Sequence, residues 1–174
     1  TWSKAFHTAV SGDTVYFRGG VYNINVTDGQ GIRYIPDLSL GHDGTAENPI
    51  VYMNYPNEIP ILDCAAATAS YDGVFNKGLV FTGVDYVTIK GLHIINVNQR
   101  SGHRDVCYGI WSDYSDHLRF EQVVVHDVMG PGFNSTNETY VEFINCDSYD
   151  NQDLYSATPG DYGQGWHGAG TIVT

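Results

Sequence analysis

Apolar and polar residues alternate along much of this chain, and from Gly78 onward the alternation recurs in register. Gly78 to Val97 reads GLVFTGVDYVTIKGLHIINV, Gly109 to Val128 reads GIWSDYSDHLRFEQVVVHDV, and Gly132 to Asn151 reads GFNSTNETYVEFINCDSYDN. Each stretch opens with a short alternating run and passes a polar turn. An apolar pair follows (Val87/Ile89, Leu118/Phe120, Val141/Phe143), then a further set (Leu92/Ile94, Val123/Val125, Cys146/Ser148). The starts lie 31 and then 23 residues apart. A repeat of this size is one supersecondary unit that cannot bury its apolar face alone and must stack on its neighbours. Three short strands per unit with no helical period predict a parallel β-helix, all-β, of about five or six coils.

Upstream, Thr14–Phe17, Val21–Asn23, Pro49–Asn54 and Ile59–Asp63 carry strand patterns. Trp2, Phe6 and Val10 have the spacing of a short helical turn that would cap the N-terminal end. Residues 24–48 form a long irregular stretch, which inside a compact fold is usually functional or mobile. Period-two alternation places Val87, Ile89, Leu92 and Ile94 in the core. Polar residues stack as well: Gly91, Gln122 and Asn145 share one position, and Asn96, Asp127 and Asp150 another. The first set is expected to be structural, whereas Asp127 and Asp150 fit structure and function equally. Cys146 falls where Leu92 and Val123 stand, as a small buried hydrophobe would. The whole of 1–174 reads as one β-helix domain whose ends interrupt the pattern, so it is expected to be a piece of a longer protein.

Composition narrows the function. Twenty glycines and thirteen tyrosines beside eight Lys plus Arg suit strands and turns. The net charge of -12 argues against a nucleic-acid partner, because neutralising phosphates needs cations. No apolar run is long enough to span a membrane, and no CxxC spacing supports a thiolate metal site. Nucleophile-elbow, phosphate-loop and dinucleotide signatures are missing from the sequence.

The link from the third strand of one unit to the first strand of the next varies in length, and insertions on one edge of a solenoid commonly build its binding face. The first long link carries Arg100, His103, Arg104 and Asp105. The residues preceding the first strands, Lys77, Tyr108, Pro131 and by extension His167, make a column beside it. Scarce cations gathered on one edge point to carboxylate recognition, which suits the planar fork of Arg. The second long link is acidic. Asp127, Asp150, Asp153 and Asp161 could present the oxygen ligands that Ca²⁺ prefers, although the spacing is not an EF-hand pattern. Asp and Asn are also common turn residues without any metal.

Gly12–Asn23 (GDTVYFRGGVYN), Asn48–Tyr52 (NPIVY) and Asn145–Asn151 (NCDSYDN) together resemble the right-handed parallel β-helix polysaccharide lyases of family 9, which include pectate and rhamnogalacturonan lyases. The resemblance covers most of the chain and the N-terminal part of such an enzyme. It implies β-elimination on a uronic-acid polymer, with Ca²⁺ held by aspartates pairing with the uronate carboxylate and a lysine as base. Asp150 and Asp153 lie where that family carries calcium ligands. At Gly165–Ala169 the family pattern would place an aspartate where this chain has His167, which implies an altered cation site or another role for the histidine, as base or substrate contact. The catalytic candidates are therefore His167 and Lys77, with Arg100, His103, Arg104 and Tyr108 for substrate and Asp127, Asp150, Asp153 and Asp161 for metal. An acidic polysaccharide is the expected partner of a secreted, periplasmic or surface-exposed monomer. A non-catalytic carbohydrate-binding β-helix and a β-helix glycoside hydrolase using Asp150 and Asp161 are the alternatives.

Overall fold

The computed structural model describes residues 2–23, 43–66, 76–99, 107–155 and 166–168. A short helix, α1 (Trp2–Thr8), precedes β1 (Thr14–Phe17) and β2 (Gly20–Asn23). The second coil contributes β3 (Ile50–Asn54) and β4 (Pro60–Asp63). Three full coils follow: β5 (Asn76–Thr82), β6 (Asp85–Lys90) and β7 (His93–Ile95); β8 (Cys107–Asp113), β9 (Asp116–Glu121) and β10 (Val124–His126); β11 (Phe133–Thr136), β12 (Val141–Ile144) and β13 (Asp147–Tyr149). A sixth coil begins with β14 (Trp166–Gly168).

Strands one coil apart pair in parallel and form three sheets. The A sheet runs β1-β3-β6-β9-β12, the B sheet β2-β4-β7-β10-β13, and the C sheet β5-β8-β11-β14. This is a parallel β-helix, with the offsets of 31 and 23 residues preserved strand by strand: Val87 pairs with Leu118, which pairs with Val141.

The core is a set of columns running along the solenoid. Tyr52, Ile89, Phe120 and Phe143 stack in the A sheet. Leu62, Ile94 and Val125 stack in the B sheet, and Leu79, Ile110 and Phe133 in the C sheet. All ten are buried. Phe120 and Phe143 stack with centroids 5.1 Å apart, and Phe81 meets Phe120 edge-on at 5.7 Å. Cys146 is half-buried against this core, and its thiol donates to Phe120 O at 3.4 Å.

At the N-terminal end α1 covers the core. Phe6 packs 4.4 Å from Tyr52 and Trp2 4.4 Å from Phe17, ring centre to ring centre. The expected apolar stripe is corrected at its last member: Ala9 is buried and Val10 is 56% exposed. The helix has ended by then, and the Val10 N–H donates to Asp13 Oδ2 instead of continuing a turn.

The corners explain the polar columns. Gly91, Gln122 and Asn145 have φ of 64°, 54° and 50°, and Asn96, Asp127 and Asp150 have 60°, 54° and 51°. Both columns are left-handed corner positions, which Gly, Asn and Asp tolerate best. A further column ties the start of the A sheet. Asp43 Oδ1 accepts from Asp85 N, Asp85 Oδ1 from Asp116 N, and Asp116 Oδ1 from Thr139 N, at 3.1, 2.9 and 2.7 Å.

Gly78, Gly109 and Gly132, which open the three repeats, stack at the start of the C sheet. A Cβ on Gly78 would lie 2.5 Å from Gly109 O, and one on Gly109 2.6 Å from Gly132 O. Close backbone approach demands glycine here.

The A-to-B corners are short, whereas the B-to-C links vary. β7 ends at Ile95 and β8 begins at Cys107; β10 ends at His126 and β11 begins at Phe133; β13 ends at Tyr149 and β14 begins at Trp166. The variable edge thus lies beside the C sheet, as the repeat implies.

Candidate functional site

Alternation along β5, β8 and β11 sends Leu79, Ile110 and Phe133 inward, and with them fixes which residues stand on the outer face of the C sheet. Trp111 is half-buried there. The Lys77 ammonium lies 3.9 Å from the centre of the Trp111 ring, and the Tyr108 ring meets Trp111 edge-on at 4.7 Å. Lys77 and Tyr108 are register partners, as are Val80 and Trp111, and Trp111 and Asn134. An ammonium over an indole face is attracted by the ring quadrupole. The result is a cation beside an apolar ring, with the buried Asn134 next to Trp111 in register.

His167 takes a different register from the one its sequence context predicts. It pairs with Asn134, and Trp166 pairs with Phe133. His167 is therefore in the column of Val80, Trp111 and Asn134, three positions along from Lys77, Tyr108 and Pro131. Two matches compete for this register: Gly168 against Gly132, and Trp166 against the apolar column Leu79–Ile110–Phe133. The backbone pairing follows the second.

The long links pack on one another. Gln99, just after β7, donates from Nε2 to Asp153 Oδ1 at 2.7 Å, and its Oε1 accepts from Leu154 N and Tyr155 N at 3.0 and 2.9 Å. Both side chains are buried. Asn151 is likewise internal: its Oδ1 accepts from Val128 N at 2.9 Å and its Nδ2 donates to Ser148 Oγ at 2.9 Å. These bonds tie the third, fourth and fifth coils along the variable edge.

Of the proposed metal ligands, Asp127 and Asp150 are neighbours by stacking, one step past the His126–Tyr149 pair. Asp127 is a left-handed corner residue whose Oδ2 lies 2.7 Å from His126 Nδ1. Asp150 is the equivalent exposed corner of the next coil, and Asp153 points inward to Gln99. Among the described residues no three His, Cys, Asp or Glu side chains gather as a cation would require. Asp127, Asp150 and Asp153 alone therefore do not complete a Ca²⁺ site. Asp161, Arg100, His103 and Arg104 lie outside the described residues.

One titratable group escaped the sequence reading. Glu138 sits at the C-to-A corner of the fifth coil, where its Oε2 accepts from Ser112 Oγ at 3.1 Å and from Ser135 Oγ. Burial raises its pKa to about 7 against the pull of the two hydroxyls, with Asp113 and Asp116 adding to the rise. Extending the repeat would have flagged it, since Glu138 aligns with Val84 and Ser115, both buried. Trp111 was also legible in principle, as the neighbour of the inward Ile110.

A stacked three-sheet scaffold with a cation and aromatic rings beside variable links defines a parallel β-helix. The family model for the Pel9A-like right-handed β-helix region matches residues 1–172, and the chain belongs to that family. Two solved structures share the fold. An alginate lyase from Paenibacillus sp. str. FPU-7 superposes with a TM-score of 0.64 at 18% identity, over 97% of this chain and 47% of that one. A rhamnogalacturonan lyase superposes with a TM-score of 0.63 at 17% identity, over 99% of this chain and 60% of that one. The chain thus spans about half to three-fifths of these enzymes. No curated protein sequence matches it. In fold it is related to polysaccharide lyases. No helix among the described residues is long and apolar enough to cross a membrane.

Proposed function

We propose that this chain forms part of an exported polysaccharide lyase that cleaves a uronic-acid polymer, pectate or rhamnogalacturonan, by β-elimination. The observation that carries the reading is the Lys77 ammonium over Trp111 on the outer face of the C sheet, 3.9 Å from the ring centre. A uronate residue offers a complementary pair of features: an apolar C–H face for an indole and a carboxylate for an ammonium. Tyr108 backs the Trp111 ring. In the elimination a base takes the C5 proton, the C4=C5 double bond forms, and the C4–O4 bond breaks with O4 taking a proton. Positive charge beside the carboxylate stabilises the enolate that develops, and Lys77 is assigned that role. His167, in register with Asn134 and Trp111, is assigned proton transfer. Arg100, His103 and Arg104 belong to the link between β7 and β8 and are assigned contacts with neighbouring uronates.

Calcium, which the family resemblance in the sequence implies, would share the burden of neutralising the carboxylate. Asp127, Asp150 and Asp153 alone do not complete a site for it, so no step is routed through the ion, and chelation tests whether one is needed.

Ultraviolet absorbance of unsaturated uronate products, on polygalacturonate, rhamnogalacturonan and alginate with and without chelator, tests the reading. Lys77→Gln and Trp111→Ala should each weaken uronan binding about tenfold, the equivalent of about 1.4 kcal/mol. Glycan binding with no unsaturated product would replace the lyase with a non-catalytic carbohydrate-binding β-helix. Reducing ends without unsaturation would indicate a hydrolase. Loss of product on chelation, restored by calcium, would return the cation to the mechanism.

A further inference from the structure

We propose that Glu138 is a proton-operated strut, coupling the charge of the C-to-A corner in the fifth coil to the backbone of β11, which pairs with the strand of Trp111. The inference stands on the packing of that corner and does not depend on the lyase reading.

Two interior columns change character along the solenoid. One passes from Val84 through Ser115 to Glu138, and its neighbour from Phe81 through Ser112 to Ser135. In the third coil the corner is closed by Val84 and Phe81, both buried. In the next two coils serines replace these apolar groups, and the Glu138 carboxyl bonds to two of them through one oxygen. The other oxygen, Oε1, is enclosed and accepts no hydrogen bond among the described residues. The charged groups facing the carboxyl are Asp113 at the end of β8 and Asp116 at the start of β9, both acidic. His117, the neighbour of Asp116, is the titratable cation nearest this pair and lowers the Asp116 pKa in part. Ionisation therefore leaves one oxygen without a donor and sets three carboxylates together, which burial makes unfavourable.

The coupling runs through Ser112. Its Oγ lies 3.1 Å from Glu138 Oε2 and 3.2 Å from the backbone oxygen of Asn134. A hydroxyl has one hydrogen to donate, and Ser112 is wholly buried, so water cannot substitute. Beside a carboxylate, the hydrogen is drawn to Glu138. Beside a neutral carboxyl, whose own O–H can donate to the serine oxygen, it is released to Asn134 O. Asn134 is the register partner of Trp111 and His167. Protonation of an interior acid thus changes a hydrogen bond of the strand that lies between those of Trp111 and His167.

The sign follows from a carboxyl whose folded pKa of about 7 exceeds the ordinary 4.5. The stability it confers is full below the ordinary value and is lost as pH rises through about 7. Two measurements on the whole chain test this. Carboxyl ¹³C shifts should show Glu138 titrating near 7, with the Asn134 carbonyl shift following the same midpoint. The Tm of the wild type relative to Glu138→Gln, which stays neutral, should fall between about pH 5 and about pH 8. In Ser112→Ala the Glu138 titration should persist while the Asn134 response disappears, which keeps the test alive should Glu138→Gln fail to fold. A Glu138 midpoint in the ordinary carboxylate range, equal pH slopes in wild type and Glu138→Gln, or an Asn134 response that survives Ser112→Ala would overturn the proposal.

Discussion

Replacing Gly109 with alanine adds one methyl group at the tightest seam between coils. The new Cβ would lie 2.6 Å from Gly132 O and 3.3 Å from Val128 Cγ2, with the side chain of Val125 nearer still. Val125 is a buried member of the B-sheet column, and the Gly132 carbonyl accepts from Ile110 N at 2.8 Å, so neither can move without cost elsewhere. Inserting a methylene into a packed core typically costs about 1–3 kcal/mol. Two unyielding neighbours place Gly109→Ala at the upper end, about 3 kcal/mol. For a chain of this length each kcal/mol lowers Tm by about 2–4 °C, so a loss of about 6–12 °C is expected. Urea unfolding should show the same loss as a shift in midpoint with an unchanged slope. Combining Gly109→Ala with Val125→Ala removes the side-chain clash and leaves the carbonyl. The pair should therefore cost about 1 kcal/mol less than the sum of the singles. A Gly109→Ala loss below about 1 kcal/mol would refute the view that the stacked glycines are required by close backbone approach.

Two other perturbations probe the corners. The Asp116 carboxylate is held below its ordinary pKa chiefly by hydrogen bonding from the Thr139 side chain, then by the N–H groups of Thr139 and Tyr140. Its contribution is present above the ordinary value and is lost as pH falls through the depressed one, so the Tm advantage of wild type over Asp116→Asn should be full at neutral pH and vanish in acid; a constant gap would contradict it. Gln122 is exposed with φ of 54°. The left-handed backbone costs a residue with a side chain about 1–2 kcal/mol, against about 0.5–1 kcal/mol of extra chain entropy for glycine. Gln122→Gly should therefore stabilise by about 0.5–1 kcal/mol in urea unfolding, and a loss would show that the side chain has a role of its own.

Most of the scaffold could be read from the repeat because each coil obeys the same rule. Alternation names the inward residues, and the offset between repeats names their neighbours above and below. Val87, Leu118 and Val141 pair as the alignment implies. The site was less legible. His167 was misplaced by three positions because a glycine match and an aromatic match pointed to different registers across a long link. Asp127 and Asp150 read equally as structure or function because corner residues and oxygen donors are drawn from the same amino acids. Asp153 was offered as a metal ligand, and its side chain is buried against Gln99, some fifty positions earlier in the chain.

By itself the sequence determined the number of strands per coil, their parallel stacking, the composition of the core and the edge on which the links vary. These depend on period and on apolar burial, which every residue reports locally. Only the tertiary structure decided that Lys77 lies over Trp111, that Gln99 consumes Asp153, and that Ser112 and Ser135 enclose Glu138. Each of these joins side chains from different coils. Their chemistry depends on distance, enclosure and the competition for single hydrogen atoms, and no linear pattern records those.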